Sequence, residues 1–339
     1  MISQSLKIFK SKNMRKKIYI GIDISSATLD ICVRIAEVFE SHVIKNEAKT
    51  IKAFLKNYVK HDLVIGMENT GRYNWQLYEV LADTSHLVYV IPPIHLKRSL
   101  GLIRGKNDKI DAIRIAQFIE KNYTELKPWT CPSESIQKLK ILLTERNFRI
   151  KNKRQLVSQK RDYSKMKKLK LDRMLSKMNE EMMAYHDKQI KLLEKQIEEI
   201  IAVDEELNKQ SNLIKTVPGV GKVLSWTMLA KTEGFKTIKE PRKMACFSGV
   251  VPFEYQSGTS IRGRNRVSVY SDKYIKGILH LAAMSAIRLK NDLKIYYERK
   301  VAEGKNKMSV LNAVRNKIIH RIFAVIKSQV PYNFDLVLS

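Results

Sequence analysis

Proline and glycine are scarce in this 339-residue chain, at 8 and 13 residues, which excludes collagen-like repeats and Pro/Gly-rich low-complexity chains. Cysteine is scarcer. Cys32, Cys131 and Cys246 are widely separated, with no CxxC pair and no Cys/His cluster, so neither a zinc site nor a disulfide framework is expected, and a reducing, cytoplasmic setting follows. No uncharged apolar run approaches the ~18–20 residues a membrane-spanning helix needs. Acidic residues are outnumbered, 34 Asp and Glu against 63 Lys and Arg, for a formal charge of +29. That balance points to a polyanion as partner. With 44% hydrophobic residues the chain can fill a core in each of two or three domains, so wholesale disorder is excluded.

Residues 1–16 form a basic segment without the apolar stretch of a signal peptide and read as a loose tail, with Met14 as an alternative start. From Ile18 the chain alternates short apolar runs (IYIGIDI, LDICVRI, VFESHVI, LVIGM, HLVYVI) with helical stretches. That order predicts a mixed α/β domain over 17–128. KPWTCPSES at 127–135 breaks the pattern. Residues 133–212 then contain neither proline nor glycine, which predicts two long helices as a spacer. Ile190, Leu193, Ile197, Ile200 and Leu207 follow the 3/4 spacing of a coiled-coil seam, interrupted by His186 and Asp204. The partner helix is either the preceding segment, folded back, or the same segment of a second subunit. Within 151–180 stand 11 Lys and Arg against three acids, a face suited to nucleic-acid phosphates or to solvent. A mainly helical segment, 213–332, opens with VPGVGKV; Pro-Gly-x-Gly-Lys before a helix resembles a helix-hairpin-helix turn, with Lys222 as a phosphate contact. A helix, a Gly/Ser/Arg-rich loop and two further helices are expected beyond it.

In so basic a chain the carboxylates on apolar strand ends stand out. Asp23 closes IYIGID and Glu68 closes LVIGME, each followed by small polar residues, where an α/β sheet places its ligands. Asp108 and Asp111 in KNDKIDA lie three apart at a helix start, and so on one face. Singly, each has an ordinary reading: turn residues for Asp23 and Glu68, an N-cap for Asp108, a first-turn acid for Asp111. Converging, they need cations, and hard oxygen ligands in a nucleic-acid protein point to Mg²⁺, or Mn²⁺, in a phosphoryl-transfer site.

GIDISSATLD at 21–30, MENTGRY at 67–73 and KNDKIDA at 106–112 resemble, in order and spacing, the motifs of the DEDD transposases of bacterial insertion sequences, the one-hundred-and-ten family, whose relatives include site-specific DNA invertases. The resemblance covers nearly the whole chain. It implies a RuvC-like, ribonuclease-H-like N-terminal domain, with Asp23, Glu68, Asp108 and Asp111 as the metal-binding catalytic tetrad. The C-terminal segment resembles the family's transposase domain, whose nucleophilic serine stands in a (Tyr/His)-x-Ser-Gly context matched by Tyr255-Gln256-Ser257-Gly258. Ser260 is the runner-up. Arg262, Arg264 and Arg266 follow with no acid between Glu254 and Asp272, and could stabilise charge on an attacked phosphodiester. An ordinary SGTS turn is the structural alternative.

The resemblance implies a recombinase that mobilises its own insertion sequence through a covalent serine–DNA intermediate. Its partners would be element-end and target DNA, a structured non-coding guide RNA encoded by the element, and further copies of itself in a dimer or tetramer. Its place would be the bacterial cytoplasm, on the nucleoid. The rivals are a metal-dependent nuclease or Holliday-junction resolvase with no covalent intermediate, and a non-enzymatic nucleic-acid-binding protein. Trp75, Trp129 and Trp226 read as packing residues, and His280 and His320 as core or surface histidines.

Overall fold

The computed structural model describes residues 17–69, 71–99, 107–251, 256–257, 261–262 and 267–333. The chain divides into two compact units, 1–131 and 132–339.

The first unit is built on a five-stranded sheet. Its strands are β1 (Lys17–Ile24), β2 (Thr28–Ile35), β3 (Val38–Lys45), β4 (Asp62–Glu68) and β5 (Leu87–Ile91), in the order β3-β2-β1-β4-β5. β1, β2 and β3 pair antiparallel, while β4 joins β1, and β5 joins β4, in parallel. The helices are α1 (Ala48–Lys56), α2 (Trp75–Ala82), α3 (Pro93–Ser99) and α4 (Asp108–Asn122). Period-2 alternation divides the strand residues between two faces. Ile18, Ile20 and Ile22 of β1, Leu29, Ile31 and Val33 of β2, and Leu63, Ile65 and Met67 of β4 are buried with α1 and α2. The intervening positions face α4: Val64, Tyr89 and Ile91 pack with Ile115, Phe118 and Ile119, and Cys32 packs with Ala112 and Ala116.

Two glycines let α4 lie close. Gly21 and Gly66 are register partners on β1 and β4. A Cβ on Gly21 would stand 2.2 Å from the Ala112 carbonyl and 2.3 Å from the Ala116 nitrogen, and one on Gly66 3.1 Å from the Ile119 side chain. The requirement at Gly21 is for space rather than for an unusual backbone angle.

The second unit is helical. It comprises α5 (Glu134–Tyr163), α6 (Asp172–Val203), α7 (Glu205–Lys215), α8 (Lys222–Thr232), α9 (Pro241–Phe247), the short strands β6 (Gln256–Ser257) and β7 (Ile261–Arg262), α10 (Lys273–Ala286), α11 (Asp292–Ala302) and α12 (Lys307–Ser328). Three helices, not two, fill the Pro/Gly-free stretch, because Asp204 ends α6 and caps α7 by accepting from the Leu207 N–H at 3.1 Å. The partner of α6 is α5 of the same chain. Arg146 bonds Glu194, Arg149 bonds Gln189, Lys153 bonds Asp187 and Lys160 bonds Glu180, so numbers rise along one helix as they fall along the other. The contact face departs from the expected seam. Asn179, His186, Ile197 and Ile201 are the buried residues of α6, whereas Ile190, Leu193 and Ile200 are half-buried. An α-helix turns every 3.6 residues, so over this length the inner face runs ahead of a strict 3.5-residue repeat and reaches Ile201 rather than Ile200.

The root of α5 (Ile136, Leu139, Leu143) and the end of α6 (Ile197, Ile201) join α7–α12 in one core that includes Trp226, Met228, Leu279 and Ile318. Beyond the loop three helices stand where two were expected, α11 being the addition; Asn291 caps it by accepting from the Leu293 and Lys294 N–H groups. Trp226 is buried and Trp129 stacks on Tyr78, with ring centroids 4.9 Å apart. Trp75, read as a packing residue, is 43% exposed.

Candidate functional site: acidic residues at the strand ends

Alternation and the close approach of α4 together bring the four acids to one place. Asp23 lies two residues beyond Gly21, and Glu68 two beyond Gly66, so both occupy the α4 side at the carboxyl ends of adjacent parallel strands. Each stands one residue beyond the last register pair, Ile22↔Met67. α4 enters from the same side. Asn107, rather than Asp108, is its N-cap, accepting from the Lys109 N–H at 3.0 Å. Asp108 and Asp111 then occupy the first turn, where the helix dipole favours negative charge. Ala112, which follows Asp111 directly, is the residue pressed on Gly21.

The electrostatics agree with this convergence. Burial pushes the Asp23 carboxyl up to about 6, and repulsion from Asp108, Asp111 and Glu68 adds to the rise; the Ile24 N–H, bonded to Asp23 Oδ1 at 3.1 Å, opposes it. Asp108 is exposed and Asp23, Glu68 and Asp111 are half-buried. Arg114 donates to Asp111 at 2.7 Å. Among the described residues no three His, Cys, Asp or Glu side chains stand close enough to hold a metal ion as they are. The donor set is nonetheless all hard oxygen, it is crowded enough to raise the proton affinity of Asp23, and one member is turned onto an arginine. These residues fit a hard divalent cation that would draw Asp111 off Arg114 and relieve the repulsion.

Sequence reasoning missed a fifth acid. Asp30 of β2 is the antiparallel register partner of Asp23, so it lies on the same face. Burial and then Asp108 raise its carboxyl from the ordinary value. The signal was present in TLDICVRI, where Leu29, Ile31 and Val33 mark the α1/α2 side and leave Asp30 with the acids.

In the second unit the backbone of Ser257 pairs with Ile261, and that of Gln256 with Arg262, in an antiparallel hairpin. Ser260, Arg264 and Arg266, and Tyr255 and Gly258 of the serine motif, lie outside the described residues. Lys222 is the first residue of α8, and its Nζ bonds Glu198 Oε1 at 2.6 Å. Both are exposed, so that pair is weak enough for a phosphate to displace. Packing accounts for one glycine of the turn: Gly219 has φ +79°, and a Cβ there would stand 2.2 Å from the Ala282 carbonyl of α10. Gly221, at the N-cap of α8, has open space beside it.

A mixed sheet in the order β3-β2-β1-β4-β5 with acids at its strand ends, followed by a mostly helical region, is consistent with a ribonuclease-H-like domain of the DEDD class. Residues 20–163 match the DEDD family model described as a transposase, and residues 211–298 match the one described as Transposase IS116/IS110/IS902 family. The chain belongs to the IS110 family of transposases, enzymes that recombine DNA. It is 26% identical over 326 residues to the pilin gene-inverting protein of Moraxella bovis, covering 94% of this chain and 98% of that one. The pilin gene-inverting protein of Moraxella lacunata matches to the same extent. The 43.6 kDa protein of insertion element IS110 of Streptomyces coelicolor is 24% identical over 162 residues, 48% of this chain and 38% of that one. Among the described residues, no helix is long and apolar enough to cross a membrane.

Proposed function

We propose that this transposase cuts and rejoins DNA through a covalent bond to Ser257, in a reaction that also needs the acids Asp23, Glu68, Asp108 and Asp111. The observation that carries the reading is the convergence of those four carboxylates on the α4 side of the sheet, with Gly21 and Gly66 bringing the helix close. A divalent cation, Mg²⁺ or Mn²⁺, held by the acids would supply positive charge to the phosphate oxygens and ease ionisation of the attacking oxygen. The side chains do the rest. Asp23 and Glu68 hold fixed positions at the strand ends, and Asp108 and Asp111 close the site from α4. Ser257 Oγ attacks the phosphorus and the Oγ–P bond forms. The bridging P–O bond to the deoxyribose breaks, and the serine proton leaves with the sugar as its hydroxyl. The reverse step, with a different strand end as attacker, religates without outside energy. Arg262, Arg264 and Arg266 meet the charge developing on the phosphate, and Lys222 a phosphate further along the strand.

The inverting relatives support the DNA substrate, element ends and target. A formal charge of +29 suits polyanions in general, and a structured guide RNA, encoded by the element, is proposed as a second one beside the DNA. Exposed Leu171 at the N-cap of α6, and Met174, Met178, Met182 and Tyr185 along it, support assembly with further copies, as a dimer or tetramer. The chain then works in the bacterial cytoplasm, on the nucleoid.

The test is a search for a protein–DNA adduct by denaturing gel and mass spectrometry, using purified protein, Mg²⁺, element-end DNA and RNA from the flanking non-coding region. An adduct at Ser257 that is lost in both Ser257→Ala and Asp108→Ala supports the reading. Mg²⁺-dependent cleavage with no adduct, unchanged in Ser257→Ala, replaces it with a nuclease or junction resolvase. Binding that ignores both Mg²⁺ and the acids leaves only a nucleic-acid-binding protein.

A further inference from the structure

The segment that carries Ser257 is pinned at its root. The Asp272 N–H donates to the Phe247 carbonyl at 2.8 Å. Gly249, at φ +66°, lies so near Ser271 that a Cβ would stand 2.4 Å from its Oγ. From α12, Asn312 Nδ2 donates to the Val250 carbonyl at 2.6 Å. The chain therefore leaves and returns at one place, against one face of α12.

One helical turn beyond Asn312 on that face stands Arg315, 6% exposed. Its Nη1 donates to Asn312 Oδ1 at 3.3 Å and its Nη2 bonds His280 Nδ1 of α10 at 2.6 Å. Its buried Nε has no partner among the described residues. Elsewhere, shielded arginines have carboxylates: Arg34 has Glu120, Arg114 has Asp111, Arg146 has Glu194 and Arg321 has Asp292. Among the described residues Arg315 has none. A buried guanidinium without a counter-charge is costly, and burial lowers its hold on the proton. The charge also fixes its neighbour. A guanidinium only donates, so His280 Nδ1 accepts and the ring proton sits on Nε2. Burial and then Arg315 lower the proton affinity of His280, which keeps the ring neutral. The result is an Nε2–H donor on a half-buried side chain, backed by a cation that has no carboxylate among the described residues.

We infer that His280 and Arg315 form an anion site for a backbone phosphate of the DNA strand engaged by the Ser257 segment. His280 Nε2–H contacts a non-bridging oxygen. Arg315 is a positioning residue that sets the tautomer and supplies the field. The inference rests on the proposed function for the identity of that strand, while the site itself is argued from α10 and α12.

The experiment measures binding of the full chain to an element-end duplex by fluorescence anisotropy, with single methylphosphonates moved phosphate by phosphate across the cleavage site. Removing one charge-assisted hydrogen bond costs about tenfold in affinity. His280→Ala should therefore lose about tenfold, a methylphosphonate at one position should cost the wild type as much, and the two together should cost no more than either. His280→Gln, which keeps a side-chain N–H, should restore most of the loss. Nitrogen-detected NMR should find the His280 proton on Nε2, and a tautomer mixture in Arg315→Met. Additive losses at every position, or wild-type binding by His280→Ala, would overturn the inference. Ser257→Ala separates it from the larger reading: the coupling must survive that change while the adduct disappears. An adduct that persists in Ser257→Ala refutes the serine chemistry and leaves the phosphate site standing.

Discussion

Replacing Asp23 with asparagine should make the metal-free protein more stable while removing its response to metal. The rise of the Asp23 carboxyl from 3.8 to about 6 corresponds to about 3 kcal/mol if taken in full. Asp23 is half-buried, and solvent screening reduces the figure to about 1–2 kcal/mol. The folded state holds the proton more tightly than the unfolded state. The penalty is therefore absent below the unfolded value, grows as pH rises from 3.8 to about 6, and is complete above it. Asparagine keeps the acceptor for the Ile24 N–H and carries no charge, so it escapes the penalty. At pH 7.5, without metal, Asp23→Asn should exceed the wild type by about 1–2 kcal/mol, and at pH 4.5 the gap should shrink to about half. Millimolar Mg²⁺ should close the gap at pH 7.5 by stabilising the wild type alone. Urea titrations read by pulsed hydrogen exchange in the β1 peptide follow this unit within the whole chain. An asparagine variant no more stable than the wild type at pH 7.5, or a gap indifferent to pH and Mg²⁺, would refute the argument that the acids crowd one another.

Gly21→Ala should be among the most damaging small substitutions, costing about 3 kcal/mol or more by overpacking, because the added Cβ has only 2.2 Å to the Ala112 carbonyl; an unchanged urea midpoint would contradict the close approach of α4. Asp30→Asn should weaken Mn²⁺ binding several-fold, read by electron paramagnetic resonance, without abolishing it, since Asp30 adds charge beside Asp23; loss as complete as in Asp23→Asn would make it a ligand. In the helical hairpin, Glu194→Gln should cost about 1–2 kcal/mol, because it strands Arg146, 9% exposed, whereas Glu199→Gln, whose partner Lys195 is exposed, should cost under about 0.5 kcal/mol; equal effects in chemical denaturation would refute the distinction. Cys32 is buried, with its thiol pushed up to about 11, and should resist alkylation in the folded protein while exposed Cys131 reacts; mass mapping after iodoacetamide decides.

The sheet was legible in the sequence because its strands alternate between two apolar faces, and each strand face needs only local residues to be recognised. The carboxylates at β1, β4 and α4 were legible because charge on an apolar run is conspicuous against that alternation. The helix count after residue 133 was less so. Asp204 read as a flaw in a seam when it is a cap, since a capping aspartate and a misplaced polar residue look alike until the chain turns. α11 was missed because only Leu293 within it is buried, which leaves almost no periodic signal.

The amino-acid order by itself determined the strands of the sheet and the long helices, the excess of basic residues, the acids at the strand ends and the family, all of which depend on neighbours within a few residues or on motif order. Tertiary structure alone decided that Gly21 and Gly66 lie side by side under α4, that Asp30 faces Asp23, and that α6 finds its partner in α5. It also decided that Arg315 is buried against His280 with no carboxylate among the described residues. Each of these joins residues far apart in the chain, and sequence spacing carries no information about which distant side chains a fold brings within a few ångströms.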